Sequence, residues 1–293
     1  MLKKILIGFV LVVFTLTGGG LVFIWQAGAW NILFPSSAHD VSAPKVPEFD
    51  RPAVLVFSKT NSFRHTEGIA AGIPALQTMA EKNGFPIFAT ENGAVFNAQD
   101  LSRFRVVVFL NATGDMLSAA QETAFKNWLE AGGGWLGIHA AGDGSHAEWT
   151  WYVENLIGAE FTAHILGPQF QTATVIAEDM QHSVNSGLPA SWEAEEEWYS
   201  WKASPRERGF HIISTVDEST YDPVQNIFGS SNDLRMGDHP IAWSNCVVGG
   251  RTFYTAQGHA AAAFKHPMYL LQLENALRWL SSDGLCTPWS SRP

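Results

Sequence analysis

Short apolar runs recur along the first half of the chain at nearly regular spacing. Ala53-Val-Leu-Val-Phe57 and Arg105-Val-Val-Val-Phe-Leu110 are apolar without alternation, the pattern of strands covered on both faces. Phe85 to Thr90 and Trp135-Leu-Gly-Ile-His139 read as two further strands. Helical periodicity fills the gaps. One helix is predicted from about Thr66 to Asn83, stopped by Gly84, with Pro74 as a candidate kink. A second opens at the capping box Ser118-Ala-Ala-Gln121, places Ala120, Ala124 and Trp128 on one face, and stops at Gly132-Gly-Gly134. Strands alternating with helices imply right-handed crossovers and a parallel sheet. Past residue 145 the pattern loosens. Short strands are predicted at Thr172 to Ala177, His211 to Thr215, Ile241 to Cys246 and Thr252 to Thr255. A final helix runs from Pro267 to Leu280, with Leu270, Leu273, Leu277 and Leu280 as its buried stripe.

The N-terminus follows a different rule. Residues 5 to 25 carry no charge, long enough to cross a hydrocarbon core of about 30 Å. Lys3 and Lys4 precede the run and no Lys or Arg follows until Lys45, which sets the N-terminus inside and the body outside. A membrane anchor over residues 1 to 29 is the expectation. A signal peptide cleaved near Ala27-Gly-Ala29 is the alternative, and it also exports the body. Residues 30 to 52, with Pro35, Pro44, Pro47 and Pro52, read as a linker. The α/β domain spans residues 53 to 282, and residues 283 to 293 form a tail.

Composition narrows the function. The 293 residues are 46% hydrophobic, with 12 Trp and 19 Phe, which excludes a disordered chain. The net charge is −10. Without Lys3 and Lys4 the exported body carries 16 basic and 28 acidic residues, a charge of −12. No nucleic-acid footprint exists, and the body is not drawn to anionic lipid. Cys246 and Cys286 would meet an oxidising compartment after export, where a disulfide or two separate thiols are both open. Self-association is also open.

In parallel sheets, ligands bind at the carboxyl ends of the strands. Those positions here hold Arg64 and His65 after the first strand, Asn111 after the third and His139 after the fourth. His164, Glu195-Glu-Glu197, Tyr199, His239 and His259 follow. Imidazole is both a near-neutral acid or base and a metal ligand. His65, His139, His164, His239 and His259 are therefore candidate ligands of a divalent metal, zinc first, although their spacing matches no compact metal motif. His139 stands where α/β hydrolytic folds carry a nucleophile, so acyl-enzyme chemistry there is excluded. Ser145 lacks that elbow context. Gly142 and Gly144 are either ligand-facing or plain turn residues. Carboxylates beside Trp198, Tyr199 and Trp201 have the chemistry of a sugar subsite: acceptors for hydroxyls and rings for a C–H face. Nothing marks a nucleotide site.

Several of these segments together resemble the ThuA-like (trehalose utilisation) family. They are Phe63-Arg-His65, Gly133-Gly-Trp-Leu-Gly-Ile-His139, Glu196-Glu-Trp-Tyr199, His239-Pro-Ile-Ala-Trp243, and Gly250-Arg-Thr-Phe-Tyr254 leading to Gly258-His259. The resemblance implies a flavodoxin-like, doubly wound, mainly parallel sheet of the class I glutamine amidotransferase-like type. It also implies that the elbow cysteine of those enzymes is replaced by His139, so that amidotransferase activity is not expected. Two departures stand out: Glu196 where the family usually has Asp, and Ser183 after His182 where it often has Pro. The implied role lies in glycoside or disaccharide metabolism, with 3-keto sugars as a substrate class. On this reading His139, His65 and Glu197 are the catalytic candidates, and Arg64, Asn111, Tyr199 and His259 the substrate-binding ones. A non-catalytic carbohydrate-binding or scaffold protein on the same fold is the alternative.

Overall fold

The computed structural model describes residues 20 to 288 apart from 23, 27 and 228. The run Ala53–Phe57 forms β1, with all five residues buried. It is followed by α1 (Thr66–Lys82), β2 (Ile87–Thr90), β3 (Phe104–Leu110), α2 (Ala119–Glu130) and β4 (Gly134–Ile138). Four of the later strands are β5 (Phe161–His164), β6 (Gln171–Ala177), β7 (Ser191–Glu196) and β8 (Tyr199–Trp201). The rest are β9 (His211–Val216), β10 (Val224–Ile227), β11 (Ser230–Asp233), β12 (Pro240–Val247) and β13 (Gly250–Thr255). The last helix is α3 (Pro267–Ser281).

Nine strands form one sheet in the order β2-β1-β3-β4-β13-β12-β9-β6-β7. From β2 to β13 all neighbours are parallel. That half has the 2-1-3-4-5 order of flavodoxin-like folds, with β13 as its fifth strand. Beyond β13 the sheet continues antiparallel through β12, β9, β6 and β7. Two small antiparallel pairs, β5 with β8 and β10 with β11, complete the strands.

Successive residues of the apolar runs point to opposite faces, and each face has its own core. Leu55, Phe57, Val107, Phe109, Trp135 and Tyr254 pack on one side with Phe125 and Leu129 of α2. Val54, Val56, Val106, Val108, Leu136 and Phe253 pack on the other, under Leu76 of α1 and Leu273, Leu277 and Leu280 of α3. Full burial of one such side chain contributes about 1.5–3 kcal/mol before conformational entropy is counted. The buried stripe of α2 is Phe125 and Leu129, whereas Ala120 is exposed. Pro74 lies inside α1 without ending it. Ala70, the residue whose carbonyl it leaves unbonded, is on the exposed side, where water can serve.

Residues of the segment read as a linker lie against the domain. Asp40 accepts from Lys59 Nζ at 2.6 Å and from the Gly93 amide at 2.8 Å, and Val46 is buried. The run expected to form a membrane anchor falls mostly on residues outside those described. Among the described residues no helix is long and apolar enough to cross a membrane.

Cys246 and Cys286 form a disulfide. It ties the end of the chain to β12, and Arg251 Nη1 donates to the carbonyls of Ser282 and Gly284 beside it. The bridge spans 40 residues. Replacing both cysteines by serine is expected to lower stability by about 2–4 kcal/mol, mainly by releasing the unfolded chain. Equilibrium denaturation without reductant checks this, and an unchanged midpoint would assign the bridge no stabilising role.

Candidate functional site

Three ends of parallel strands and one turn of the antiparallel half meet above the sheet. His65 follows β1 at the N-cap position of α1, without a side-chain capping bond. His139 follows β4, Glu197 follows β7, and His259 follows β13. One ligand atom from each of these four lies within 4.8 Å of the others. His139 Nε2 is 3.0 Å from His259 Nδ1 and 3.3 Å from Glu197 Oε2, and His259 Nδ1 is 3.0 Å from Glu197 Oε2. A tetrahedral metal with bonds of about 2.1 Å spaces its ligand atoms about 3.4 Å apart. Nδ1 of His65 is buried and has no hydrogen-bond partner. A buried polar atom without a partner is costly, so a missing partner is the natural reading.

The turn at His139 is what points its ring inward. Its φ is +50°, a left-handed conformation that a non-glycine residue adopts only when its surroundings hold it there. Tyr254 Oη donates to its carbonyl at 2.7 Å. Its Nδ1 lies 2.7 Å from the Ala256 carbonyl, which assigns the proton to Nδ1 and the lone pair to Nε2. Asn111, also at φ +50°, bridges two of the loops. Its Oδ1 accepts from the Ala140 amide at 3.2 Å and its Nδ2 donates to the Gly258 carbonyl at 3.0 Å. Gly68 of α1 lies under the third loop, where a Cβ would be 2.5 Å from the His259 carbonyl oxygen.

Electrostatics favour a cation. Burial lowers His65 well below its ordinary range, and the neighbouring rings of His139 and His259 add to this. Burial likewise lowers His139. Burial alone would raise Glu197, but the imidazoles of His139 and His259 beside it outweigh that and hold the carboxyl far below its usual range. Unprotonated imidazoles beside an ionised carboxylate are the donor set that a divalent metal requires. Glu196 is buried and pushed up to about 7 by that burial. It holds the backbone instead, accepting from the Gly258 amide at 2.8 Å and the Glu197 amide at 3.2 Å.

The other candidates take different places. His164 Nδ1 lies 3.1 Å from Glu197 Oε1, on the opposite side of the carboxylate from the cluster. His239 does not join the group. Its Nδ1 faces Glu218 at 2.8 Å and its Nε2 faces the Tyr199 carbonyl at 2.8 Å, so it braces β8 from behind. Tyr199 is buried, with Oη 2.9 Å from His139 Nε2. Asn111 is fully buried, with both ends of its amide engaged by backbone. Arg64 pairs with Glu91 at 2.7 Å at the pocket rim. Gly142 is a plain turn residue packed on the Tyr254 ring.

A cleft of about 250 Å³ leads to the cluster, with Phe63, Arg64, Glu67, Phe170 and His259 among its walls. Sequence reasoning missed Gln169, whose Nε2 donates to Glu197 Oε1 at 2.6 Å, and Phe170, whose ring lies 5.1 Å from that of His259. No motif marks them. Glu218 was missed as well, because its partner His239 is 21 residues away in the chain.

The ThuA family, described as trehalose utilisation, matches residues 53–280. A ThuA-like protein from Bacteroides uniformis superposes with a TM-score of 0.67 at 25% identity, covering 83% of this chain and 97% of that one. A ThuA-like protein from Parabacteroides merdae gives 0.61 at 16% identity, covering 81% and 92%. A cytoplasmic protein from Salmonella typhimurium shares the fold at 0.52 and 12% identity, covering 80% and 100%. No curated protein matches the sequence.

Proposed function

The chain belongs to the ThuA family, and from that premise we propose that it acts on a small carbohydrate through a divalent metal held by His65, His139, Glu197 and His259. The observation that carries this reading is the convergence of four ligand groups on one point, with His65 Nδ1 left without a protein partner. Zinc suits three nitrogens and one oxygen in this spacing. A divalent metal held there would supply Lewis-acid polarisation of a sugar carbonyl or of a pair of vicinal hydroxyls.

The chain's own groups do the rest. Phe63 and Phe170 offer apolar faces to the C–H side of a sugar, and Arg64 and Glu67 offer a donor and an acceptor to its hydroxyls. The cleft is smaller than the ~300–1,000 Å³ of drug-sized ligand sites, which suits one sugar unit at the cluster. Burial and the charge of Glu197 raise Tyr199 well above its ordinary value, so its hydroxyl remains a donor beside His139. His164, partly exposed and 3.1 Å from Glu197, is placed to pass a proton between the site and water. The reaction class is proton transfer next to a carbonyl: isomerisation of a keto-sugar, or elimination of the group β to the carbonyl of a keto-disaccharide, with water added back where the net result is hydrolysis. The Cys246–Cys286 bridge supports a location outside the cytoplasm.

The test is elemental analysis of the full chain purified without chelator, beside a His65→Ala/His139→Ala variant. About one zinc or similar ion per chain, absent from the variant, is expected, followed by turnover of a 3-keto sugar or disaccharide that the variant lacks. A chain that stays metal-free after reconstitution overturns the metal-assisted reading. Sugar binding with metal bound but no turnover on any such substrate would leave a binding protein.

A further inference from the structure

The approach to the cleft is built partly by residues that precede the α/β domain. Gln26 stands in the wall beside Phe63, Arg64 and His259. Just after it the chain is fastened to the loop that carries His65. The Arg64 amide donates to the Gly28 carbonyl at 2.9 Å, and Asn31 Nδ2 donates to the Thr60 carbonyl at 2.8 Å. Gly28 is buried at φ +77°, and a Cβ there would lie 2.1 Å from the Arg64 carbonyl oxygen. This close approach makes the docking specific rather than a chance contact of a tail.

What the docked segment turns outward is apolar. Leu21, Val22, Trp25, Trp30, Leu33 and Phe34 are between 37% and 66% exposed, and the Trp30 and Phe34 rings pack 4.6 Å apart. Soluble surfaces seldom expose so many large apolar side chains within so short a stretch of chain. Residues 5 to 38 contain no Asp, Glu, Lys or Arg, so the patch continues the uncharged run that lies before it. Such a run is long enough to enter a bilayer, and tryptophan beside its end is the composition of a membrane interface.

We propose that Leu21, Val22, Trp25, Trp30, Leu33 and Phe34 bed on a lipid bilayer, so that the mouth of the His/Glu pocket opens beside the membrane surface. Substrate then reaches His259 from the membrane side of the domain. The patch is neutral, so contact needs no anionic lipid, consistent with a body charge of −12. The inference is independent of what the pocket does chemically, and its test uses no turnover.

The full chain is reconstituted into vesicles of phosphatidylcholine and phosphatidylethanolamine. An environment-sensitive fluorophore is placed at the mouth through Glu67→Cys, or at the opposite end of the sheet through Val248→Cys. Glu67 lines the cleft, and Val248 is exposed on the turn between β12 and β13. Spin-labelled lipid headgroups are expected to quench the label at 67 several-fold more than the label at 248. Changing Trp30, Leu33 and Phe34 together to serine should bring quenching at 67 down to the level at 248, while the chain stays with the vesicles. Equal quenching at both positions, or quenching at 67 that ignores the serine changes, overturns the proposal. Weak quenching at 67 with a doubled mass by light scattering overturns it too, and assigns the patch to a second copy of the chain.

Discussion

Glu197→Gln is expected to abolish metal binding and leave the fold in place. Glu197 is the one carboxylate in the group of four, and its Oε2 lies within 3.3 Å of both His139 Nε2 and His259 Nδ1. Glutamine keeps the shape and an acceptor oxygen but removes the charge. A divalent ion would then sit in a buried pocket with no compensating anion. Loss of a supporting group around a metal costs about 10–100-fold in affinity, and loss of an anionic ligand should exceed that range. Stability should also fall, since the carboxylate meets Gln169, His164 and His259 and a hydrogen bond to a charged group contributes about 1.5–3 kcal/mol, but glutamine keeps one acceptor oxygen and the fold persists. Zinc titration calorimetry, with thermal melts of the metal-free protein, reads both quantities. Wild-type affinity in the variant would remove Glu197 from the ligand set.

That three histidines would converge was legible because parallel strands bring all their carboxyl ends to one edge. His65, His139 and His259 each follow a strand of the parallel half, and β1, β3 and β4 were recognisable from unbroken apolar runs. The antiparallel half was harder to read. Glu195-Glu196-Glu197 reads as an acidic run, yet its first two residues end β7 (Ser191–Glu196), in which Trp192, Ala194 and Glu196 are buried on alternate positions. The two-residue period was present, but the acidic side chains masked it. The strand pair β10 and β11 offers no apolar pattern, since Ser230–Asp233 is exposed throughout. His239 shows the limit for sites. It sits in a loop like those of the true cluster, and only the position of Glu218 decides that its ring is engaged elsewhere. Pairings between distant loops follow from packing, which a local pattern does not encode. Both departures from the family pattern are accommodated, Glu196 by accepting two backbone amides and His182 by capping a short turn through the Val184 amide.

Trp243→Ala is expected to do the reverse of Glu197→Gln, weakening the fold while sparing the metal. Trp243 is fully buried, with its ring 5.3 Å from that of Trp201 and 4.7 Å from that of Tyr254. Its Nε1 donates to the Ile157 carbonyl at 2.9 Å. Truncation leaves a large cavity and an unmet carbonyl, at a cost of about 3–5 kcal/mol. The cavity adjoins Tyr254, whose hydroxyl holds the His139 turn, so some loosening will reach the site. The ligand atoms themselves remain. Zinc at about 100 times its dissociation constant should therefore still stabilise the variant by about 2.7 kcal/mol, as it should the wild type. Urea denaturation with and without zinc separates the two effects. A zinc increment lost together with the core would mean that the four ligands are held by this aromatic layer rather than by their own loops. An increment retained in Trp243→Ala and absent in Glu197→Gln would show that packing makes the scaffold and Glu197 makes the site.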